Sequence, residues 1–498
     1  MIPVHCQVTT LNRAIDGYEA YQTLSQKFND RELFLLESLS GPDVDREKSL
    51  LGIHPVFTIK IYDLRVVLLG EPAMCDAVLQ ALNARDDLIE SIKGHEFTLR
   101  GHSALWDLLR EIENCFDVTY ADNAPPLQFG FFGYFGYDTI RYCEKVPHNI
   151  ELGPSYPDIQ LSIYQQIICC DLKDNKAYLI HATIDHCLGV SAADTEQLLQ
   201  AVSEPVEGKL LPAPELNSVK DSITKAEFLK QVDTALHHVA IGDIYQIQVG
   251  HELTIDSSIQ PFEVYQRLRQ LNPSPYMYYV TLDDLTIVGA SPELYLSIYD
   301  DEMTMRPIAG TIRRGKTPEE DAQQKQILLS DEKERAEHLM LVDLCRNDIS
   351  RVCEPGTLEV PDLMIIETYS HVLHIVSTVI GHKQNAVDKW DVMAATFPAG
   401  TMTGTPKIRA VEIIESLETS RRGLYAGCIG FFDFSGATET ALVIRTAMYV
   451  DGKYHIRASA GIVADSKPES EWMESISKLS STYLAITGKE LRHEHFIN

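Results

Sequence analysis

No two cysteines in this sequence are spaced as a C-x-x-C motif or a paired bridge would require. The ten cysteines fall mostly in apolar runs, as in Ile167-Ile168-Cys169-Cys170. This argues against a disulfide framework and fits reduced, buried thiols in a cytoplasmic protein. Positive charge is scarce too: 43 Lys and Arg stand against 72 Asp and Glu, for a net charge of −29. Phosphate backbones and anionic membrane surfaces are met by clustered Lys and Arg, so neither nucleic acid nor membrane is an expected partner. No apolar run reaches the length of a membrane span. The N-terminus, MIPVHCQVTTLNRAIDGYEAY, lacks a basic-then-apolar signal pattern. No repeat and no low-complexity tract is present.

The chain does have length and apolar content. With 498 residues and 45% hydrophobic composition, it can bury a large core and hold more than one domain. Residues 32–38 read as a strand, 54–62 and 65–70 as a hairpin around Asp63-Leu64, and 159–171 and 176–183 as two more strands. Residues 106–115 and 192–202 read as helices. The alternating glycines and aromatics of 130–138 suit a packed loop. Residues 204–218, rich in Pro and Glu, read as a linker between an N-terminal region (1–200) and a second region (220–490). Beyond it, 227–241 reads as an amphipathic helix, followed by strands at 245–253, 276–282, 285–290 and 293–299. One long helix is expected over 318–348, with Pro318 and acids in its first turn. Strands recur at 427–434, 438–449 and 453–458, and a last helix begins near Pro468. Strand runs with few helices between them predict an α+β fold with an antiparallel core.

Two Glu-x-x-Glu pairs stand out in the second region: Glu334 with Glu337, and Glu471 with Glu474. At i, i+3 spacing both carboxylates of a pair share one helix face. Four such carboxylates suit a hard cation such as Mg2+. Around them lie small-residue segments, Pro307-Ile308-Ala309-Gly310-Thr311, Phe397-Pro398-Ala399-Gly400-Thr401 and Ala458-Ser459-Ala460-Gly461. Together they suggest a metal-bridged pocket whose backbone closes around a small anion.

The ordered motifs GDIYQIQ, GASPE, RPIAGT, KERAEHLMLVDLCRND, YSHVLHIVSTV, FPAGTMTGTPKIRA, IGFFDF, RASAGIVADS and ESEWMES resemble those of the chorismate-utilising enzymes, most nearly their anthranilate synthase component I branch. That resemblance implies a two-layer antiparallel β-sandwich core with surrounding helices and the pocket between the layers. It implies conversion of chorismate and ammonia to anthranilate and pyruvate, with Mg2+ as cofactor. Ammonia is expected from a glutamine amidotransferase subunit on a separate chain.

Residue by residue, the resemblance maps the metal onto Glu337 and Glu474, with Glu334 and Glu471 secondary. It makes Glu293 the general acid for departure of the C4 hydroxyl and His374 the base for pyruvate elimination, with His371 as competitor and Thr401 positioning the His or the hydroxyl. Tyr425 and Arg445 are the expected contacts of the enolpyruvyl carboxylate. Backbone N–H groups of Gly310, Thr311, Ser459, Ala460 and Gly461 are expected to add donors. Aminodeoxychorismate synthase relatives carry a nucleophilic Lys where this chain has Ala309. Isochorismate and salicylate synthases carry a basic Lys where it has Gln246, so ammonia is the expected nucleophile. Ser38, Pro275, Tyr276 and Met277 match a feedback site for tryptophan. The competing readings are an aminodeoxychorismate synthase component I, disfavoured by Ala309, and a non-catalytic amino-acid sensor.

Overall fold

A computed structural model of the chain describes residues 1–11, 15–41, 48–151, 153, 155–185, 187, 189–200, 214–369 and 371–491. Most of the expected linker at 204–218 lies outside the described residues. Where description resumes, strand Leu216–Asp221 already pairs with strand Gln246–Ser257. Among the described residues no helix is long and apolar enough to cross a membrane.

The strands form one hydrogen-bonded network in which every described pairing except that of Ile2–Leu11 with Phe116–Thr119 is antiparallel. Strands of the first 200 residues pair directly with strands of the second region at two seams. Leu33–Glu37 joins Tyr276–Leu282, and Gly130–Phe135 joins Cys428–Asp433. Side chains from both regions fill the apolar interior along these seams. Phe34 stacks on Phe132 at 3.7 Å between ring centroids, in a cluster with Tyr278, Ile287, Phe431 and Met448. Helices Pro72–Leu82, Ala104–Glu113 and Lys389–Thr396 cover a second apolar cluster, and Gly17–Leu24, Pro261–Leu271 and Pro468–Thr487 a third.

Residues 130–138 correct the sequence reading. Gly130–Phe135 is a fully buried strand, held between Cys428–Asp433 and Ile159–Asp171. Its glycines are sites of close backbone approach: a Cβ on Gly133 would stand 2.0 Å from the carbonyl oxygen of Gln160. Strands Ile2–Leu11 and Glu359–Thr368 lacked a clear sequence signal. The second is an exposed edge whose register with Val372–His382 shifts twice.

Two breaks shape the pocket. The expected helix over 318–348 is two helices, Pro318–Ser330 and Glu332–Ser350. Asp331 ends the first and caps the second, its carboxylate accepting the N–H groups of Lys333 and Glu334. Asp is a favoured N-cap because its side chain satisfies otherwise unpaired amides. The expected strand over 438–449 is likewise two, Thr438–Leu442 and Thr446–Val450. Between them Arg445 takes a left-handed backbone, φ 53°. A left-handed non-glycine residue is strained and persists where surrounding structure holds it there.

Alternation along Gln246–Ser257 divides its two faces. Ile247 and Val249 pack with Phe228, Val232 and Trp472; burying each such aliphatic side chain stabilises the fold by roughly 2 kcal/mol. Gln246 and Gln248 turn the other way, into a cavity.

Candidate active site

The cavity has a volume of about 440 Å³ and opens between the Glu332–Ser350 and Pro468–Thr487 helices and the strands beneath them. One end is anionic. Glu334, Glu337, Glu471 and Glu474 all line it, so both Glu-x-x-Glu pairs face the same space. Burial, then Glu334 and Glu474 nearby, pushes the Glu337 carboxyl up to about 7. Burial and neighbouring acids also raise Glu334, and burial raises Glu471. Burial acts on Glu474 in the same sense, but Lys478, 2.7 Å away, outweighs it and holds Glu474 below the ordinary carboxylate range. Gln246 donates its Nε2–H to Glu337 Oε1 at 3.0 Å, while its own Oε1 is buried with no partner.

Small residues make room for these oxygens. A Cβ on Gly310 (φ +71°) would stand 3.0 Å from Glu334 Oε2, and one on Gly461 would stand 3.2 Å from Glu337 Oε1. Four carboxylates facing one cavity, with Glu334 and Glu337 raised in part by neighbouring acids, suit Mg2+, a hard divalent ion that takes carboxylate and water ligands. Among the described residues no three His, Cys, Asp or Glu side chains converge closely enough to enclose an ion unaided.

The other end is cationic and polar. The Arg445 backbone break turns its guanidinium into the cavity. It makes no ion pair with a carboxylate among the described residues, and burial holds it below the usual arginine range. A half-buried guanidinium with no carboxylate partner favours an anion in the cavity it faces. Tyr425 Oη lies 2.7 Å from Ser459 Oγ, whose hydroxyl donates to Gln248 Oε1 at 2.9 Å. The carbonyl of Ser459 accepts from Lys478 Nζ at 2.9 Å, so the backbone of Ser459 faces away from the neighbouring strand. By alternation Gly461 does the same, and the N–H groups of both point to the cavity side. Ala460 pairs with Val249 instead, and its side chain packs beside Trp472; it does not line the cavity. Gly310 and Thr311 do.

Glu293, His374 and Thr401 all line the same cavity. Thr401 donates its hydroxyl to Glu293 Oε1 at 3.1 Å. Burial pushes the Glu293 carboxyl up to about 8, against the smaller lowering effects of Thr401, the Ile308 backbone and Lys478. The Nδ1–H of His374 donates to the Gly310 carbonyl at 3.1 Å, with Thr311 Oγ1 also within 3.0 Å. That fixes the tautomer and leaves Nε2 as an open lone pair. Burial pushes His374 down to about 4, so the imidazole is neutral at pH 7. His371 is exposed and donates its Nε2–H to the Leu271 carbonyl at 2.8 Å; it does not line the cavity. Ala309 lines the cavity with a methyl group alone.

A profile described as chorismate binding enzyme matches residues 69–483. The chain belongs to the chorismate-binding enzyme family. Its relatives include the 2-amino-4-deoxychorismate synthase of Streptomyces globisporus, 45% identical over 95% of this chain and 94% of that protein. They also include the anthranilate synthase component 1 of Acinetobacter calcoaceticus, 39% identical over 91% of this chain and 90% of that protein. The solved anthranilate synthase component I from Streptococcus pneumoniae shares the fold with a TM-score of 0.70. It is 32% identical, covering 88% of this chain and 92% of that chain.

As a chorismate-utilising enzyme the chain holds two further features. Lys478, which ties Glu474 to Ser459, was missed from sequence although it lies four residues after Glu474, the spacing of a helical ion pair. Residues Ser38, Pro275, Tyr276 and Met277 come together far from the carboxylates in sequence and in lining. They bound a separate small cavity of about 40 Å³. There Ser38 Oγ–H donates to the Pro275 carbonyl at 2.7 Å. Arg269 grips the adjacent Glu37 at 2.9 and 3.0 Å, and Tyr265 donates to the same carboxylate at 2.5 Å.

Proposed function

We propose that this chain is the aminating subunit of an anthranilate synthase, converting chorismate and ammonia to anthranilate and pyruvate in the cytoplasm. The observation that carries the reading is the pairing of Glu293 and His374 on one cavity wall, a carboxyl kept protonated near neutral pH and an imidazole kept neutral. The first step needs a proton for the departing C4 hydroxyl as ammonia adds at C2, and Glu293 supplies it. The second needs a base for the C2 proton, which His374 Nε2 accepts, and a proton for the departing enolpyruvyl group, which leaves as pyruvate. Arg445 and Tyr425 hold the enolpyruvyl carboxylate, and the backbone N–H groups of Ser459 and Gly461 add donors. Mg2+, held by Glu337 and Glu474 with Glu334 and Glu471 behind them, would neutralise the ring carboxylate and polarise the allylic system. Ala309 offers no amine and Gln246 no base for water, which supports free ammonia as nucleophile. That ammonia would come from a glutamine amidotransferase partner, and tryptophan would inhibit through the Ser38–Met277 cavity.

A second reading is favoured by the 45% identical Streptomyces globisporus relative. The compound in its name carries its amine at C2 and lacks the C4 hydroxyl, so it is what remains when the first step occurs without the second. Incubation with chorismate, Mg2+ and ammonium at alkaline pH, with products identified by fluorescence and mass, separates the two. Anthranilate with equimolar pyruvate supports the first reading. An aminated product that retains its enolpyruvyl group supports the second, and no turnover of chorismate removes both.

A further inference from the structure

The segment that carries Thr401 has little regular structure: one short turn, Gly400–Met402, and a two-residue strand, Gly404–Thr405. A buried charge cluster lies behind it. The side chains of Glu418, Arg422 and Arg457 are each 1% exposed. Glu418 accepts from Arg422 Nε at 3.0 Å and Nη2 at 2.8 Å, from Arg457 Nη2 at 2.7 Å, and from the Gly250 N–H at 3.1 Å. The remaining reach of Arg422 goes to two separate backbones. Its Nη1–H donates to the Met402 carbonyl at 2.7 Å, and Nη2–H to the Gln248 carbonyl at 2.9 Å. Met402 follows Thr401, and Gln248 stands on the opposite strand of the same wall. The guanidinium also lies over the Tyr137 ring, 4.6 Å from its centroid. Only a planar fork with five donors grips a carboxylate and two carbonyls at once.

We propose that Arg422 is a positioning residue for the proton transfer at Glu293. Through the Met402 carbonyl it holds Thr401 where the hydroxyl reaches Glu293, and through Gln248 it ties that turn to the cavity wall. This rests on the reading of Glu293 as general acid. Thr401 steadies the Glu293 carboxylate form, so losing that contact raises the pH at which Glu293 ionises.

Arg422→Lys keeps the charge and loses the fork. The double variant Glu418→Gln/Arg422→Met removes one charge of each sign; because it also takes the carboxylate from buried Arg457, its thermal melt is measured alongside its kinetics. Steady-state kinetics with chorismate, Mg2+ and ammonium, across pH, read the effect. In both variants kcat is expected to fall at least about tenfold, the scale of a small misplacement of a catalytic group. KM for chorismate should change little, and the alkaline limb of kcat/KM should move to higher pH, as in Thr401→Val. If both variants melt earlier but keep kcat and the limb, Arg422 is only a structural brace and the inference is overturned. Glu293→Gln serves as the control on the underlying reading. Activity retained there removes the general-acid role itself, whereas activity lost there with Arg422→Lys unaffected removes only the role of Arg422.

Discussion

Thr401 and Glu293 share a hydrogen bond of 3.1 Å inside a buried wall, with the carboxyl pushed up to about 8. Raising a carboxyl above its ordinary 4.5 has a cost in the fold. Between those two values the unfolded chain has released a proton that the folded chain retains, so stability falls as pH rises through that window. The penalty is absent below pH 4.5 and complete above about 8. Glu293→Gln should therefore raise stability at pH 7 by on the order of 2–3 kcal/mol and leave it unchanged near pH 4. Chemical denaturation at the two pH values checks this. The same substitution should abolish turnover, while wild-type kcat/KM declines above about pH 8 as the acid is lost.

His374→Ala should separate the two steps. Amination of chorismate should continue, pyruvate release should slow by roughly a hundredfold or more as expected for loss of a general base, and the aminated intermediate should accumulate. Mass analysis of quenched reactions detects it. Pyruvate released at the wild-type rate would take His374 out of the mechanism.

Gly310→Ala should weaken the cation site. The backbone there is left-handed, which costs a side chain roughly 1–2 kcal/mol, and the added methyl would stand 3.0 Å from Glu334 Oε2. Titration calorimetry with Mg2+ alone should show weaker binding than in the parent. Unchanged binding would place the ion elsewhere.

Saturating tryptophan should inhibit the parent enzyme, and Ser38→Ala, which removes the 2.7 Å latch to the Pro275 carbonyl, should raise the concentration required by about tenfold, within the range of ordinary allosteric coupling. Activity untouched by tryptophan would end the regulatory reading.

Asp331→Ala should cost about 1 kcal/mol through the lost helix cap and loosen the first turn of Glu332–Ser350, where Glu334 and Glu337 stand. Thermal melting measures the first effect and Mg2+ titration the second.

Most of the residues that line the cavity were legible in the sequence because they sit in short contiguous motifs. Spacing alone placed Glu334 with Glu337 and Glu471 with Glu474 on shared helix faces, and the cavity brings those faces together. It could not show how the chain bends between motifs. The break at Asp331 hid inside a continuous helical pattern, because an acid fits a helix N-terminus and an exposed helix face equally well. The break at Arg445 hid inside an apolar run, where only tertiary packing forces φ positive. Gly130–Phe135 was misread because glycines usually weaken strands; here they admit neighbouring backbones too close for any Cβ. His374 was preferred over His371 by motif, and the reason became physical only with the Gly310 contact.

The Gly130–Phe135 strand sits between Cys428–Asp433 and Ile159–Asp171. A truncation starting at residue 220 would strip the Cys428–Asp433 strand of one neighbour and bare a six-residue, mostly apolar edge, a template for aggregation. The pocket-bearing portion thus cannot be transplanted as a free-standing module. Any grafting of its chemistry onto another scaffold would have to carry the first two hundred residues with it.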